Sequence, residues 1–200
     1  MIQLDNAVVR YRELILDELK GAGINCWIAG GAIRDYFMGV RIATDYDLFF
    51  ASEKDFNLCV GYFKGKDAAV KWESENGMKV VYNKRTYDLV KKFFSGPQES
   101  INEFDFTVSM FAVDTERVYF GESSFIDLAK RQLMFNKITY PASTLSRSFR
   151  YYKKGFSMCK GEMVKLIEAI QGLPKPEDDG NGDDQEKSSG EMAAFFSGID

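Results

Sequence analysis

An α+β fold is what this sequence predicts: a head built on a mixed sheet flanked by helices, then a short helical region and an acidic tail. Three observations carry that expectation. Helix-period and strand-period segments alternate from Asp5 to Phe120, with three strand-like runs close together in the middle. From Pro141 to about Gln171 the pattern is helical. From Pro174 the chain turns polar, acidic and rich in Gly and Pro, and cannot bury enough apolar surface to offset its ordering entropy. The expected units are therefore a head over 1–140, a helical region over 141–173 and a disordered acidic tail over 174–200.

The elements follow from local pattern. Val8, Val9, Tyr11, Leu14, Ile15 and Leu19 recur at helical spacing, and Gly21 ends that run. Residues 25–29 (Asn-Cys-Trp-Ile-Ala) read as a buried strand that runs into Gly30-Gly31 and a short helix from Ala32 to Met38. Residues 45–50 form the next strand, and Glu53 to Phe63 a helix. Strand-like runs follow at 68–73, 79–82 and 87–93, with Gly77 marking the turn between the first two. Residues 106–113 and 117–120 make a further strand pair, and the helical stretch after Pro141 can break at Gly155 or Gly161. No internal repeat is visible.

Composition excludes much. The 200 residues are 45% hydrophobic and 14% aromatic, enough for one sizeable core. With no histidine, His-ligated zinc or haem and Ser-His-Asp or Cys-His catalysis are excluded, and any metal must be held mainly by oxygen. Cys26, Cys59 and Cys159 are an odd, widely spread set without a C-x-x-C pair, which suits free thiols in a reducing compartment. Neither a signal peptide nor an apolar run long enough for a bilayer is legible, so the expectation is a soluble, cytoplasmic protein with no membrane partner.

Charge is uneven along the chain. The total is 26 basic against 30 acidic residues, yet Pro174 to Asp200 holds two lysines and eight acids. Leu128 to Gly172 holds nine basic residues against Glu162 and Glu168. That stretch suits either an anionic partner or a solvated helix surface. The tail carries one apolar knot, Met192 to Phe196, either a docking peptide for a protein partner or a frayed terminus.

The chemistry-bearing residues lie between Gly30 and Asp47. Glycines between a strand and a helix let backbone N–H groups approach a phosphate, and Arg34 on the first turns offers a fork of donors to a triphosphate. A Gly-Gly pair alone is commonly a simple turn. Asp45 and Asp47, two apart in a strand, project to one side, and two carboxylates that close repel unless a cation sits between them. Mg²⁺ commonly takes one or two carboxylates plus substrate phosphates. An Asp-x-Asp is otherwise a turn or surface-strand feature.

Gly30-Gly31-x-x-Arg34-Asp35-x-x-x-Gly39 followed by Asp45-x-Asp47 resembles the head-domain signature of class II CCA-adding enzymes and bacterial poly(A) polymerases. The resemblance covers roughly residues 22–156 and implies a polymerase-β-like nucleotidyltransferase head. It implies that Asp45 and Asp47 hold two Mg²⁺ ions, one activating a 3′-hydroxyl and one gripping the triphosphate of ATP or CTP. It also implies a third carboxylate, best matched by Asp88 in Thr86-Tyr-Asp-Leu-Val. Phe104-Asp105-Phe106-Thr107 resembles the family's Arg-Arg-Asp-Phe-Thr segment, so Asp105 is expected at the ribose or phosphates. Ser123 to Leu128 resembles the family's structural Asp-Leu after a turn.

Residues 145–156 resemble the helix that reads the base and braces the phosphates. Arg147, Arg150 and Lys154 fall on one helical face, with Lys153 beside them, for a nucleotide or an RNA end. Phe149 and Phe156, seven apart, are expected to pack against the head. The departures are definite. Ser143-Thr144-Leu145-Ser146-Arg147 stands where the family has Glu-Asp-x-x-Arg, so the arginine is present and the acid is not, which weakens the case for programmed C-then-A selection. Glu103 and Phe104 stand for its two arginines, and Ser109 for its Asn. The expected activity is NMP transfer to an RNA 3′ end with release of pyrophosphate. The alternatives are transfer to a protein or small-molecule hydroxyl, or a non-catalytic nucleotide-binding module.

Overall fold

The computed structural model describes residues 4–40 and 42–173, so the tail and its apolar knot lie outside the described residues. The chain opens with one long helical run: α1 (Leu4–Tyr11), a π-helical segment (Arg12–Leu16) and α2 (Asp17–Gly21). It continues through β1 (Cys26–Ala29), α3 (Gly31–Phe37), β2 (Tyr46–Phe50) and α4 (Glu53–Gly65), then β3 (Ala69–Ser74), β4 (Gly77–Tyr82) and β5 (Arg85–Phe93). The head closes with α5 (Pro97–Asn102), β6 (Phe111–Val113), β7 (Val118–Phe120), α6 (Ser124–Lys130) and β8 (Gln132–Leu133). Then come α7 (Pro141–Lys153), β9 (Ser157–Met158) and α8 (Lys160–Gln171).

Seven strands form one mixed sheet in the order β3-β4-β5-β2-β1-β6-β7, in which only β2 and β5 run parallel. A parallel pair needs a crossover, and α4 with the β3–β4 hairpin supplies it. β8 and β9 pair parallel in a separate two-stranded sheet, which joins the head to the helical region.

Both faces of the central strands are covered, and the period-2 alternation assigns each residue to one of them. Cys26, Ile28, Tyr46, Leu48, Phe50, Met78, Val80, Tyr87 and Leu89 join the large core, with Tyr11, Leu16, Phe63 and Phe156. Trp27, Ala29, Phe49 and Val90 face the other way, into a smaller cluster with Phe94, Ile101 and Met110. Asp47, Asp88 and Lys79 share this second, less filled face by alternation, and the site lies there.

Four expectations are corrected. Asp45 precedes β2 instead of opening it. The β3–β4 turn is Glu75-Asn76, and Gly77 is the first residue of β4. A Cβ at Gly77 would sit 2.4 Å from the Leu89 carbonyl oxygen, so glycine is needed for close passage of β5. The strand expected from Phe106 begins only at Phe111. Thr107 to Ser109 form a 3-10 turn instead, because Thr107 donates its hydroxyl to Asp127 (2.7 Å) and its N–H to the Met134 carbonyl (3.0 Å). Finally, Phe149 is 62% exposed whereas Phe156 is buried. Gly155, at φ +85°, ends the α7 trajectory between them, so their seven-residue spacing is not helical.

Candidate active site

Strand register builds the centre of the site. Ala29 on β1 pairs with Asp47 on β2, Asp47 with Asp88 on β5, and Asp88 with Lys79 on β4. Four neighbouring strands thus present small, acidic, acidic and basic residues in one row. Asp45 lies two residues before Asp47 and is within ion-pair range of Lys79, at 3.9 Å. Lys79 binds Asp88 more closely, Nζ to Oδ2 at 3.1 Å.

The electrostatics record the crowding. The Asp47 carboxyl is pushed well above the usual range, first by burial and then by the charges of Asp45 and Asp88. Lys79 and Arg34 oppose that shift without cancelling it. For Lys79, burial pulls the pKa down, but the hydrogen bond to Asp88 and the charges of Asp88, Asp45 and Asp47 outweigh it. One ammonium is therefore set against three carboxylates.

Gly30 and Gly31 have separate tasks. Gly30 caps α3 at φ +83°, a left-handed conformation that favours glycine. A Cβ there would lie 3.7 Å from Asp47 Oδ2 and 3.6 Å from the Phe104 ring. Its N–H is committed to the Phe111 carbonyl at 2.8 Å. At Gly31 a Cβ would meet Arg34 Nη2 at 3.3 Å, so this glycine admits the arginine head. The N–H groups opening α3 have no intrahelical acceptor, as at any helix start.

Arg34 is only 4% exposed. Nε and Nη2 bind Asp35 Oδ1, each at 2.7 Å, and Nη1 donates to the Tyr151 hydroxyl at 2.9 Å. The guanidinium also lies 5.0 Å from the Tyr151 ring centroid. The Tyr151 hydroxyl is 2.6 Å from Ser109 Oγ. The expected open fork of donors is thus closed on α7 and on its own helix.

Asp105 and Arg147, both expected at the nucleotide, are ion-paired with each other. Thr144 Oγ1 adds a 2.7 Å bond to the same Asp105 oxygen. Ser143 and Thr144, at the positions of the missing acidic pair, are both buried in α7. Arg150 and Lys153 are exposed, and Lys154 reaches Asp35 at 3.3 Å. The basic stretch is further tempered by Lys137 on Glu103 (2.8 Å) and Lys165 on Glu162 (2.6 Å). Asp127 is structural, accepting from Thr107 and from Ser123 at 2.9 Å. Sequence reasoning missed Lys79 and Tyr151 as members of this neighbourhood.

For a divalent cation, the donor set is carboxylate oxygen from Asp45, Asp47 and Asp88. Among the described residues no three acidic or thiol side chains converge tightly enough to cage a metal by themselves.

The mixed sheet carries Asp47 on β2, Asp45 just before that strand, Asp88 on the adjacent parallel β5 and a Gly-Gly entry to α3, and in fold it is similar to the nucleotidyltransferase head of CCA-adding enzymes. Solved structures agree on the fold. A Thermotoga maritima CCA-adding enzyme complexed with tRNA superposes with a TM-score of 0.65 at 12% identity, over 85% of this chain and 46% of that one. A Bacillus stearothermophilus CCA-adding enzyme in complex with CTP gives 0.60 at 18% identity, over 80% of this chain and 42% of that one. A tRNA nucleotidyltransferase complexed with a primer tRNA and an incoming ATP analog gives 0.61 at 16%, over 78% and 49%.

By sequence the chain belongs to the Gabija anti-defense 2 family, whose model matches residues 4–131. It is 32% identical over 146 residues to Gabija anti-defense 2 of Bacillus phage SPbetaL7, across 70% of this chain and 36% of that protein. The chain thus spans about a third of that relative and under half of the solved structures. The resemblance to CCA-adding enzymes holds for the fold, while the sequence family is a different one. Among the described residues, no helix is long and apolar enough to cross a membrane.

Proposed function

We propose that the chain is a metal-dependent nucleotidyltransferase that moves NMP from ATP or CTP to an acceptor hydroxyl and releases pyrophosphate. The observation that carries this reading is the register of Asp47 opposite Asp88, with Asp45 two residues away and Gly30 placing no side chain against the Asp47 carboxylate. Burial and the charges of Asp45 and Asp88 raise the proton affinity of Asp47, a cost that favours a cation and an anionic substrate together.

In this reading Asp45 and Asp47 hold two Mg²⁺ ions, with Asp88 beside them as the third catalytic carboxylate. When bound, Mg²⁺ supplies Lewis-acid activation of the acceptor hydroxyl and neutralisation of charge at the transferred phosphoryl group. The protein's own part is placement. Gly30 and Gly31 give the triphosphate close approach to backbone, while Arg34, held by Asp35 and Tyr151, fixes the α3 side of the cradle. Asp105 and Arg147 fix the position of α7 against the head, with Arg150, Lys153 and Lys154 near an RNA end.

The acceptor has two readings. An RNA 3′ end is the reading supported by fold relatives crystallised with tRNA. The family's name, Gabija anti-defense 2, favours a second, an acceptor hydroxyl belonging to that defence. Incubation with each labelled NTP, Mg²⁺ and either total RNA or Gabija proteins separates them: label on RNA supports the first, label on protein the second. Absence of transfer and of NTP binding overturns the enzymatic reading.

A further inference from the structure

The row across β2, β5 and β4 contains a cation that no motif supplies. Lys79 reaches the site because β4 pairs antiparallel with β5, which sets it opposite Asp88, and because Met78 and Val80 are buried in the core on the other face. Its ammonium lies 3.1 Å from Asp88 Oδ2 and 3.9 Å from Asp45 Oδ2. Lys79 therefore touches two of the three carboxylates. The carboxylate oxygen it takes from Asp88 is one that a divalent ion would need.

We propose that Lys79 is a resident counter-ion, holding Asp88 and Asp45 while no divalent ion is bound and giving way when nucleotide and cation arrive together. This inference rests on the metal-dependent reading above. Removing all positive charge from the row would leave three carboxylates facing one another across two strands, which folding resists. A lysine relieves that repulsion without being a permanent ligand, since its flexible four-carbon stem lets the ammonium swing away. The consequence is an ordered site: cation binding is weak without the triphosphate, whose charge draws Lys79 off Asp88 and whose oxygens complete the metal shell.

The test uses Mn²⁺ as the probe, read by loss of its free EPR signal and so independent of turnover. Without nucleotide, the wild-type protein binds Mn²⁺ weakly. Lys79→Met tightens that binding by about tenfold, the size expected for losing one opposing charge at this range, whereas Lys79→Arg stays within about twofold of wild type. A nonhydrolysable ATP analogue closes most of the gap. Unchanged or weaker Mn²⁺ binding in a folded Lys79→Met protein, checked by circular dichroism, overturns the role of Lys79. Lys79→Gln repeats the test if the methionine variant misfolds. In addition, lysine-labelled wild-type protein should show the Lys79 Cε resonance shifting on addition of Mg²⁺ with the analogue, and a resonance that stays fixed contradicts the proposal. If wild type binds Mn²⁺ with the analogue but Lys79→Met binds it no more tightly than wild type in the absence of nucleotide, only this inference fails. If no variant binds Mn²⁺ under any condition, the metal-dependent reading falls with it.

Discussion

Arg147 donates from the middle of α7 to the buried carboxylate of Asp105, so two side chains that the motif assigns to the nucleotide are held by each other. With Thr144 on the same oxygen, they form a clasp between the head and the helical region. Removing the arginine leaves a buried acceptor with one donor fewer, at a cost of about 1–3 kcal/mol. Arg147→Ala should lower the melting temperature by several degrees and weaken NTP binding, read by thermal denaturation and by nucleotide titration. Unchanged values in both would make the pair irrelevant to fold and site.

Tyr151 joins Arg34 to Ser109 through one hydroxyl. Tyr151→Phe keeps the ring under the guanidinium and removes both hydrogen bonds, so a loss of about 1–2 kcal/mol is expected from urea denaturation. If turnover falls while stability is unchanged, the hydroxyl acts on the substrate and not on Arg34.

Two glycines give opposite predictions for the same change. A Cβ at Gly77 would press on the Leu89 carbonyl, so Gly77→Ala should separate β4 from β5 and destabilise strongly. Gly61 lies inside α4 with nothing within 4 Å of an added Cβ, and Gly61→Ala should stabilise by about 0.5–1 kcal/mol. Thermal denaturation of the pair checks both signs.

Asp47 sets a pH dependence. Its carboxyl holds a proton more tightly in the folded protein than in the unfolded chain, where the ordinary value is 3.8. Between that value and the raised one, the folded state binds more protons, so this group's contribution to stability falls as pH rises. Without divalent ions, Asp47→Asn should therefore melt higher than wild type at neutral pH, with the gap shrinking towards pH 4. A gap that widens on acidification contradicts the assignment of burial and like charge as the cause.

Much of this site was legible because its parts are local in sequence. Gly30, Gly31, Arg34, Asp45 and Asp47 fall within one strand–helix–strand unit, and the family resemblance singled out Asp88 on a later strand-like run. Lys79 was not legible, because its relation to Asp88 depends on the register of the β4–β5 hairpin, which turn residues alone did not fix. The closure of Arg34 on Tyr151 was hidden for a similar reason: helical spacing says which side chains share a face but not which head residue meets them. Short elements such as α5 and α6 and the 3-10 turn at Thr107 escaped notice because side-chain hydrogen bonds, not periodicity, hold them. Phe149 misled because its spacing from Phe156 assumed one helix through Gly155.

The central claim is that Asp45 and Asp47 carry out nucleotidyl transfer, and the most direct test follows the α-phosphorus label of each NTP in wild type and in Asp47→Ala, with Mg²⁺ and the RNA and protein acceptors. The account predicts label on an acceptor with wild-type protein, none with Asp47→Ala, and an intact fold in both. Equal transfer by the variant, or none by the wild type with any NTP and acceptor, would contradict it.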